Sequence, residues 1–293
     1  MFGFRWNAPS TMCRNKHLVT ILLGINCLLL WKLTLINNQR QYILSNNGSN
    51  DIPVINIGLV VQATGPYAEW TKLMVDSARK NFVQKYGYKV TIFIFTDRLN
   101  EIAKGSDIVG IYRQRIGWPF DSMLRSKVYL DHFNLFKNMD YLFQTDADMT
   151  FVNPIGTEIL NDLVGAQHYG KFRKSRSEMP FENRTESLAY VNENEGWFYV
   201  CGAFYGGERN YVFKLWKTIT QWAESDLKKN ITPIWHDESY LNKYFVLYPP
   251  STLLSSAYCI AEGKGKLAKN KIQNFNRLLQ VSKLPISANK LPG

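Results

Sequence analysis

The sequence predicts an α/β fold on a largely parallel sheet, and three observations carry that prediction. Apolar β-type runs alternate with helical periodicity from Val54 to Gln144, the pattern of parallel strands joined by right-handed crossovers. The run Met139-Asp-Tyr-Leu-Phe143 leads into Asp146-Ala147-Asp148, two carboxylates at the carboxyl edge of a strand, where open α/β sheets bind ligands. No internal repeat or heptad is present, so solenoids and coiled coils are set aside.

Val54 to Val61 reads as the first strand, ending at Gln62-Ala-Thr-Gly-Pro-Tyr67. A helix follows, with Trp70, Leu73, Met74, Ala78 and Phe82 near period 3.6. Lys89–Phe95 is a second strand closing on Thr96-Asp97, and Asp107–Tyr112 a third. Ser122–Lys137 has helical spacing, and Tyr141–Gln144 is the strand that delivers the Asp pair. Residues 165–211 hold aromatics, glycines and charges without clear periodicity. Helical spacing resumes from Arg209 to Asp226 through Val212, Leu215, Trp216, Ile219 and Trp222. Trp235-His236-Asp237-Glu238-Ser239 then marks a loop-to-helix entry, in which Asp237 and Ser239 read as caps and Glu238 as first-turn charge.

The formal charge of +11 belongs to the two ends: residues 51–262 carry all 24 acidic residues, whereas residues 1–50 and 263–293 carry basic residues and no acid. A basic face for nucleic acid is therefore not expected, and no zinc-finger spacing or RNA-binding aromatic box occurs. Leu18–Ile36 is apolar except for Thr20, Asn26, Lys32 and Thr34, and follows Arg5, Arg14 and Lys16. It reads as a transmembrane signal anchor with a cytoplasmic tail at 1–17 and a lumenal body. No small-x-small cleavage site follows it. Residues 37–53 are polar and turn-rich, a short stem, and residues 54–262 form the main domain. Sequons begin at Asn47, Asn183 and Asn230, all on the lumenal side of the anchor. Cys13 and Cys27 fall in the tail and anchor, which leaves Cys201 and Cys259 for at most one lumenal disulfide.

Asp146 and Asp148 share a face of an extended chain. Carboxylates without neighbouring Cys or His suit a hard, oxygen-preferring cation such as Mg²⁺ or Mn²⁺, whose usual work is to hold phosphates. Asp146-Ala-Asp-Met-Thr150 also fits the Asp-x-Asp-x-Thr of haloacid-dehalogenase-type phosphatases, where the first Asp is a nucleophile. In that fold the motif strand normally comes first and an acidic pair follows. Here three candidate strands precede the motif and no such pair follows. A lumenal glycan or nucleotide-sugar binder without turnover is a further alternative.

Three blocks together resemble the family 6 glycosyltransferases, the group of the ABO blood-group transferases and α-1,3-galactosyltransferases. They are Phe95-Thr-Asp97, Asp146-Ala-Asp-Met149 with Gly156-x-Glu158-Ile-Leu160, and Trp235-His-Asp-Glu-Ser239 with Leu241-Asn-Lys-Tyr244. The resemblance, from about Asn56 to Tyr258, implies a single nucleotide-sugar-binding domain of the GT-A type, with a mixed, mostly parallel central sheet. It implies a UDP-sugar donor (galactose or N-acetylgalactosamine), transfer in α-1,3 linkage to a terminal galactoside with retention of configuration, and a type II Golgi enzyme.

Carried over by position, Gln62, Ala63, Thr64 and Tyr67 line the nucleotide, Arg125 lies near it, and Asp146, with Ala147 between, and Asp148 hold Mn²⁺ against the diphosphate. Cys201-Gly202-Ala203 falls at the donor-selecting segment, and Asp237 contacts the donor sugar. Glu238 is the carboxylate under the anomeric carbon, the group that stabilises an oxocarbenium-like transition state in retaining transfer. His168, Trp235 and His236 fall on the acceptor side. Apart from these positions, Lys269, Lys271 and Arg277 belong to a basic C-terminal segment, 263–293, which reads either as a lid over the diphosphate or as a solvated tail. The chain departs from the family at Cys201, at Leu124 where blood-group enzymes have arginine, and at Ile260-Ala261 where Trp-Asp is common. Ala203 leans toward galactose.

Overall fold

A computed structural model describes residues 54–83, 87–261 and 272–274. The chain divides into two units at Pro53, and all described residues belong to the unit from Val54 onward. The anchor and stem, the sequon at Asn47 and the basic residues Lys269, Lys271 and Arg277 lie outside the described residues. Among the described residues no helix is long and apolar enough to cross a membrane.

A seven-stranded sheet runs in the order β3-β2-β1-β4-β7-β6-β8. Its strands are β1 (Ile55–Gln62), β2 (Tyr88–Thr96), β3 (Ile108–Tyr112), β4 (Tyr141–Asp146), β6 (Leu163–Gln167), β7 (Val200–Glu208) and β8 (Thr252–Leu254). β7 alone runs against its two neighbours, and the other pairings are parallel. The expected mixed, mostly parallel sheet is thus present. A second sheet joins β5 (Met149–Phe151), β10 (Ile272–Asn274) and β9 (Ile260–Ala261) in the order β5-β10-β9.

Period-2 alternation explains how the sheet divides two cores. Ile57, Leu59 and Val61 of β1, with Ile92 and Ile94 of β2, face one layer, where Met74, Val75 and Ala78 of helix α1 (Tyr67–Asn81) cover them. Val60, Phe93, Phe95 and Leu142 face the other, against Tyr129, Phe136 and Trp216. Trp216 lies on helix α4 (Arg209–Lys228), is fully buried, and donates its indole N–H to the Tyr205 hydroxyl at 3.1 Å. β4 and β7 approach closely at Gly206, where an added Cβ would strike the Leu142 carbonyl.

The helical run expected at 122–137 is not one helix. It breaks at Leu124 into α2 (Phe120–Met123) and α3 (Arg125–Asp131), then a 3₁₀ turn (Phe133–Phe136). The segment 165–211, read as irregular, contains most of β6 and all of the antiparallel strand β7. Of the sequons, Asn183 and Asn230 are exposed.

Candidate active site

The carboxyl edges of β1 and β4 lie side by side, so Gln62 is in register with Asp146. The β1 end is held by Asp121, a buried residue of α2. Asp121 accepts from the Ile116 N–H at 3.1 Å, the Gly117 N–H at 3.0 Å and the Thr64 hydroxyl at 3.3 Å, and pairs with Arg113. Gln62 donates to the Asp121 carbonyl at 2.6 Å. Gly65 adopts φ +59° and donates its N–H to Asp97 at 2.6 Å, turning the chain into α1. Ala63 is fully buried, while Tyr67 is exposed and set edge-on to Trp70 with ring centroids 4.4 Å apart.

The break at Leu124 places Arg125 at the start of α3, where its guanidinium reaches two carboxylates. It bonds Asp146 at 2.5 Å and Asp237 at 3.0 Å. Burial works against the Arg125 charge, but Asp237 and Asp146 outweigh it and hold its pKa well above the usual arginine value. Gln144 adds a bond to Asp146 at 3.1 Å. Ala147 and Asp148 are buried at the turn between β4 and β5.

Helix α5 (His236–Leu247) opens differently from the capping pattern expected. Trp235 holds the N-cap position without a side-chain cap bond, and its N–H donates to Ser239 Oγ at 3.0 Å. Asp237 faces Arg125 instead of capping, and Glu238 accepts from the Gly202 N–H at 2.7 Å instead of standing in solvent. One turn on, Asn242 bonds both the N–H (2.7 Å) and the carbonyl (2.9 Å) of Val200. Helix and strand β7 are thereby fixed to each other on either side of Cys201.

Burial pushes the Glu238 carboxyl up to about 7; Asp237 and Asp146 push the same way, and the Gly202 N–H and Tyr199 oppose them. Burial likewise raises Asp237 to about 6, against the pull of Arg125. The Tyr199 hydroxyl is near Glu238 without completing a hydrogen bond of ordinary geometry. Its ring meets His168 edge-on at 6.0 Å, and the His168 N–H bonds the Tyr199 carbonyl at 2.9 Å. Burial and then Lys171 lower the His168 pKa. His236, at φ 51°, packs edge-on against exposed Trp118 at 4.8 Å, beside half-exposed Trp235.

Arg125, Asp146, Asp237 and, through Gly202 and Tyr199, Glu238 and His168 are therefore brought together. Asp121, Trp118 and Tyr199 were missed by sequence reasoning. Asp121 two residues after a proline resembles ordinary first-turn charge, and Tyr199 sits in the stretch 165–211, which shows no clear periodicity. Cys201 and Cys259 form one disulfide. Among the described residues no group of three or more His, Cys, Asp or Glu is gathered for a metal. Two carboxylates at a strand edge fit a cation that completes its shell with phosphate and water.

The sequence profile of glycosyltransferase family 6 matches residues 41–283. The chain belongs to glycosyltransferase family 6. Histo-blood group ABO system transferase 2 of Rattus norvegicus is 35% identical over 229 residues, covering 72% of this chain and 68% of its own length. Globoside alpha-1,3-N-acetylgalactosaminyltransferase 1 of Gallus gallus is 34% identical over 221 residues, with 72% and 64% covered. An O-antigen biosynthesis glycosyltransferase of Escherichia coli is 29% identical over 221 residues, with 75% and 93% covered. The chain thus spans about two thirds of these two animal relatives' length. Family 6 membership makes it a glycosyltransferase, with a nucleotide-sugar donor and a glycan acceptor, and leaves the phosphatase reading without support.

Proposed function

We propose that this family 6 enzyme moves galactose or N-acetylgalactosamine from a UDP-sugar, with retention, in α-1,3 linkage to a terminal galactoside of a glycoprotein or glycolipid. The observation that most supports this is the placement of Glu238. A part-buried carboxylate, fixed by the Gly202 N–H at 2.7 Å, stands near Asp146 and its Arg125 partner. In transfer the bond from the anomeric carbon to UDP breaks and the acceptor hydroxyl supplies the new oxygen, its proton passing to the departing diphosphate. Glu238 stabilises the positive charge that builds on the sugar ring. Arg125 orients Asp146 and Asp237, and Asp237 contacts the donor sugar. Asp146 and Asp148 would hold a divalent cation, Mn²⁺, which when bound neutralises the diphosphate as a Lewis acid. Gln62, Ala63, Thr64 and Tyr67 receive the nucleotide, Cys201, Gly202 and Ala203 border the donor sugar, and His168, Trp235 and His236 face the acceptor.

The printed name of the Gallus gallus relative supports N-acetylgalactosamine and the α-1,3 linkage, and the basic, apolar N-terminal run supports a type II Golgi membrane enzyme anchored through Leu18–Ile36. The test is UDP release from UDP-galactose and UDP-N-acetylgalactosamine across an array of galactosides, with product linkage read by NMR. Acceptor-dependent release and an α-linked product are expected. Absence of turnover with both donors, or a β-linked product, would overturn the reading.

A further inference from the structure

The ladder that supports Glu238 is thin where it matters. Pairing of β7 with β4 stops at Phe204 opposite Thr145, and its pairing with β6 shifts register between Gly165 and Gln167. Pairing resumes only at Val200 opposite Gln167, so residues 201–203 lie in an irregular stretch of the ladder, yet they carry the N–H that holds Glu238. On one side Val200 and Gly202 are tied to α5 through Asn242 and Glu238. A covalent bond supports the other side: Cys201 is joined to Cys259, 58 residues away, and both are buried.

Cys259 leads into a second set of contacts. Tyr258, its neighbour, donates its hydroxyl to Glu158 at 2.9 Å. Ile260 of β9 pairs with Gln273 of β10, and Asn274 pairs with Met149, the residue after Asp148. The disulfide thus closes a circuit from the Glu238 layer through Cys201 and Cys259 to the strand that follows the Asp-x-Asp motif. Gly202 packs closely on Glu238, since an added Cβ would stand 3.2 Å from its carboxylate oxygen.

We propose that the Cys201–Cys259 disulfide is a positioning crosslink for sugar transfer, holding the Gly202 N–H on Glu238 and fixing that carboxylate relative to the Asp146–Asp148 edge. The enzyme then transfers at full rate only when oxidised, which suits a compartment in which disulfides persist. Opening the bond takes two electrons and two protons from a dithiol, which ends as a disulfide. This rests on the role of Glu238 proposed above.

The test compares the full-length enzyme before and after dithiothreitol, and after reoxidation, with free thiols counted and far-UV circular dichroism recorded. The doubly substituted Cys201→Ser, Cys259→Ser enzyme is measured alongside. Turnover is normalised to sites titrated with UDP. The expected result is a fall in kcat of about tenfold on opening the bond, with the donor KM changed less than twofold, and recovery on reoxidation. Unchanged kcat with both thiols free overturns the proposal. Loss of the fold in both the reduced and the doubly substituted protein also overturns it, in favour of a purely structural bond. No turnover even when oxidised would instead count against the donor and acceptor reading.

Discussion

Replacing Glu238 by glutamine should make the protein more stable at alkaline pH while removing its chemistry. Burial raises the Glu238 carboxyl from the ordinary 4.5 to about 7, so the folded state holds this proton more tightly than the unfolded chain. The sign follows: the neutral carboxyl's contribution is fully present below pH 4.5 and is lost as pH rises through about 7. A rise of that size is worth about 3 kcal/mol at ~1.36 kcal/mol per tenfold. Glu238 is only partly buried, so screening, with the desolvation of an amide, reduces the gain to about 2 kcal/mol. Glutamine can still accept the Gly202 N–H. Thermal unfolding without metal or UDP should show Glu238→Gln about 4–8 °C above wild type at pH 8, with the difference closing toward pH 5. Transfer should be nearly abolished while UDP binding persists. A variant less stable than wild type at pH 8, or a gain independent of pH, would refute the account of Glu238 as a carboxylate whose partial burial favours its neutral form. Near-wild-type transfer would refute its mechanistic role.

Removing Arg125 leaves Asp146 and Asp237 without their shared cation, so Arg125→Ala should cost about 3 kcal/mol in urea unfolding. Asp148→Asn should abolish Mn²⁺-dependent UDP release in a metal titration while leaving the unfolding midpoint in metal-free buffer within a few degrees. Asp226, fully buried, accepts from the Ser187 and Tyr240 hydroxyls and the Leu188 N–H, so Asp226→Ala should destabilise by about 2–3 kcal/mol and loosen that loop in hydrogen exchange. Trp216→Ala empties the middle of the second core and should cost about 3–5 kcal/mol with UDP affinity unchanged.

The strands that carry the candidate site's first half were legible because β1, β2 and β4 present unbroken apolar runs that end in polar residues. β7 was not. Its sequence, Val-Cys-Gly-Ala-Phe-Tyr-Gly-Gly-Glu, is buried on both faces, so it shows no alternation, and its three glycines read as loop. The helix at 122–137 failed for a different reason: its spacing is helical, but Leu124 takes a non-helical conformation, and Arg125 after it pairs with Asp146 and Asp237. Side-chain type placed Asp237 and Glu238 as helix-entry charge. Only tertiary contacts, the guanidinium of Arg125 and the N–H of Gly202, turn them inward, and local sequence pattern carries no sign of either.

The short sheet that joins Met149–Phe151 to Ile272–Asn274 also governs how this protein is made. Strand β5 lies at an outer position of that sheet and has its ladder partner more than a hundred residues downstream. During synthesis it must wait on the order of 10 s for that partner to emerge. Through that interval Met149 and Phe151, immune to water in the finished protein, belong to an unpaired edge. A ribosome that stalls before residue 274 releases a chain with a largely complete main sheet and an open seam beside its Asp-x-Asp turn, a ready substrate for chaperones.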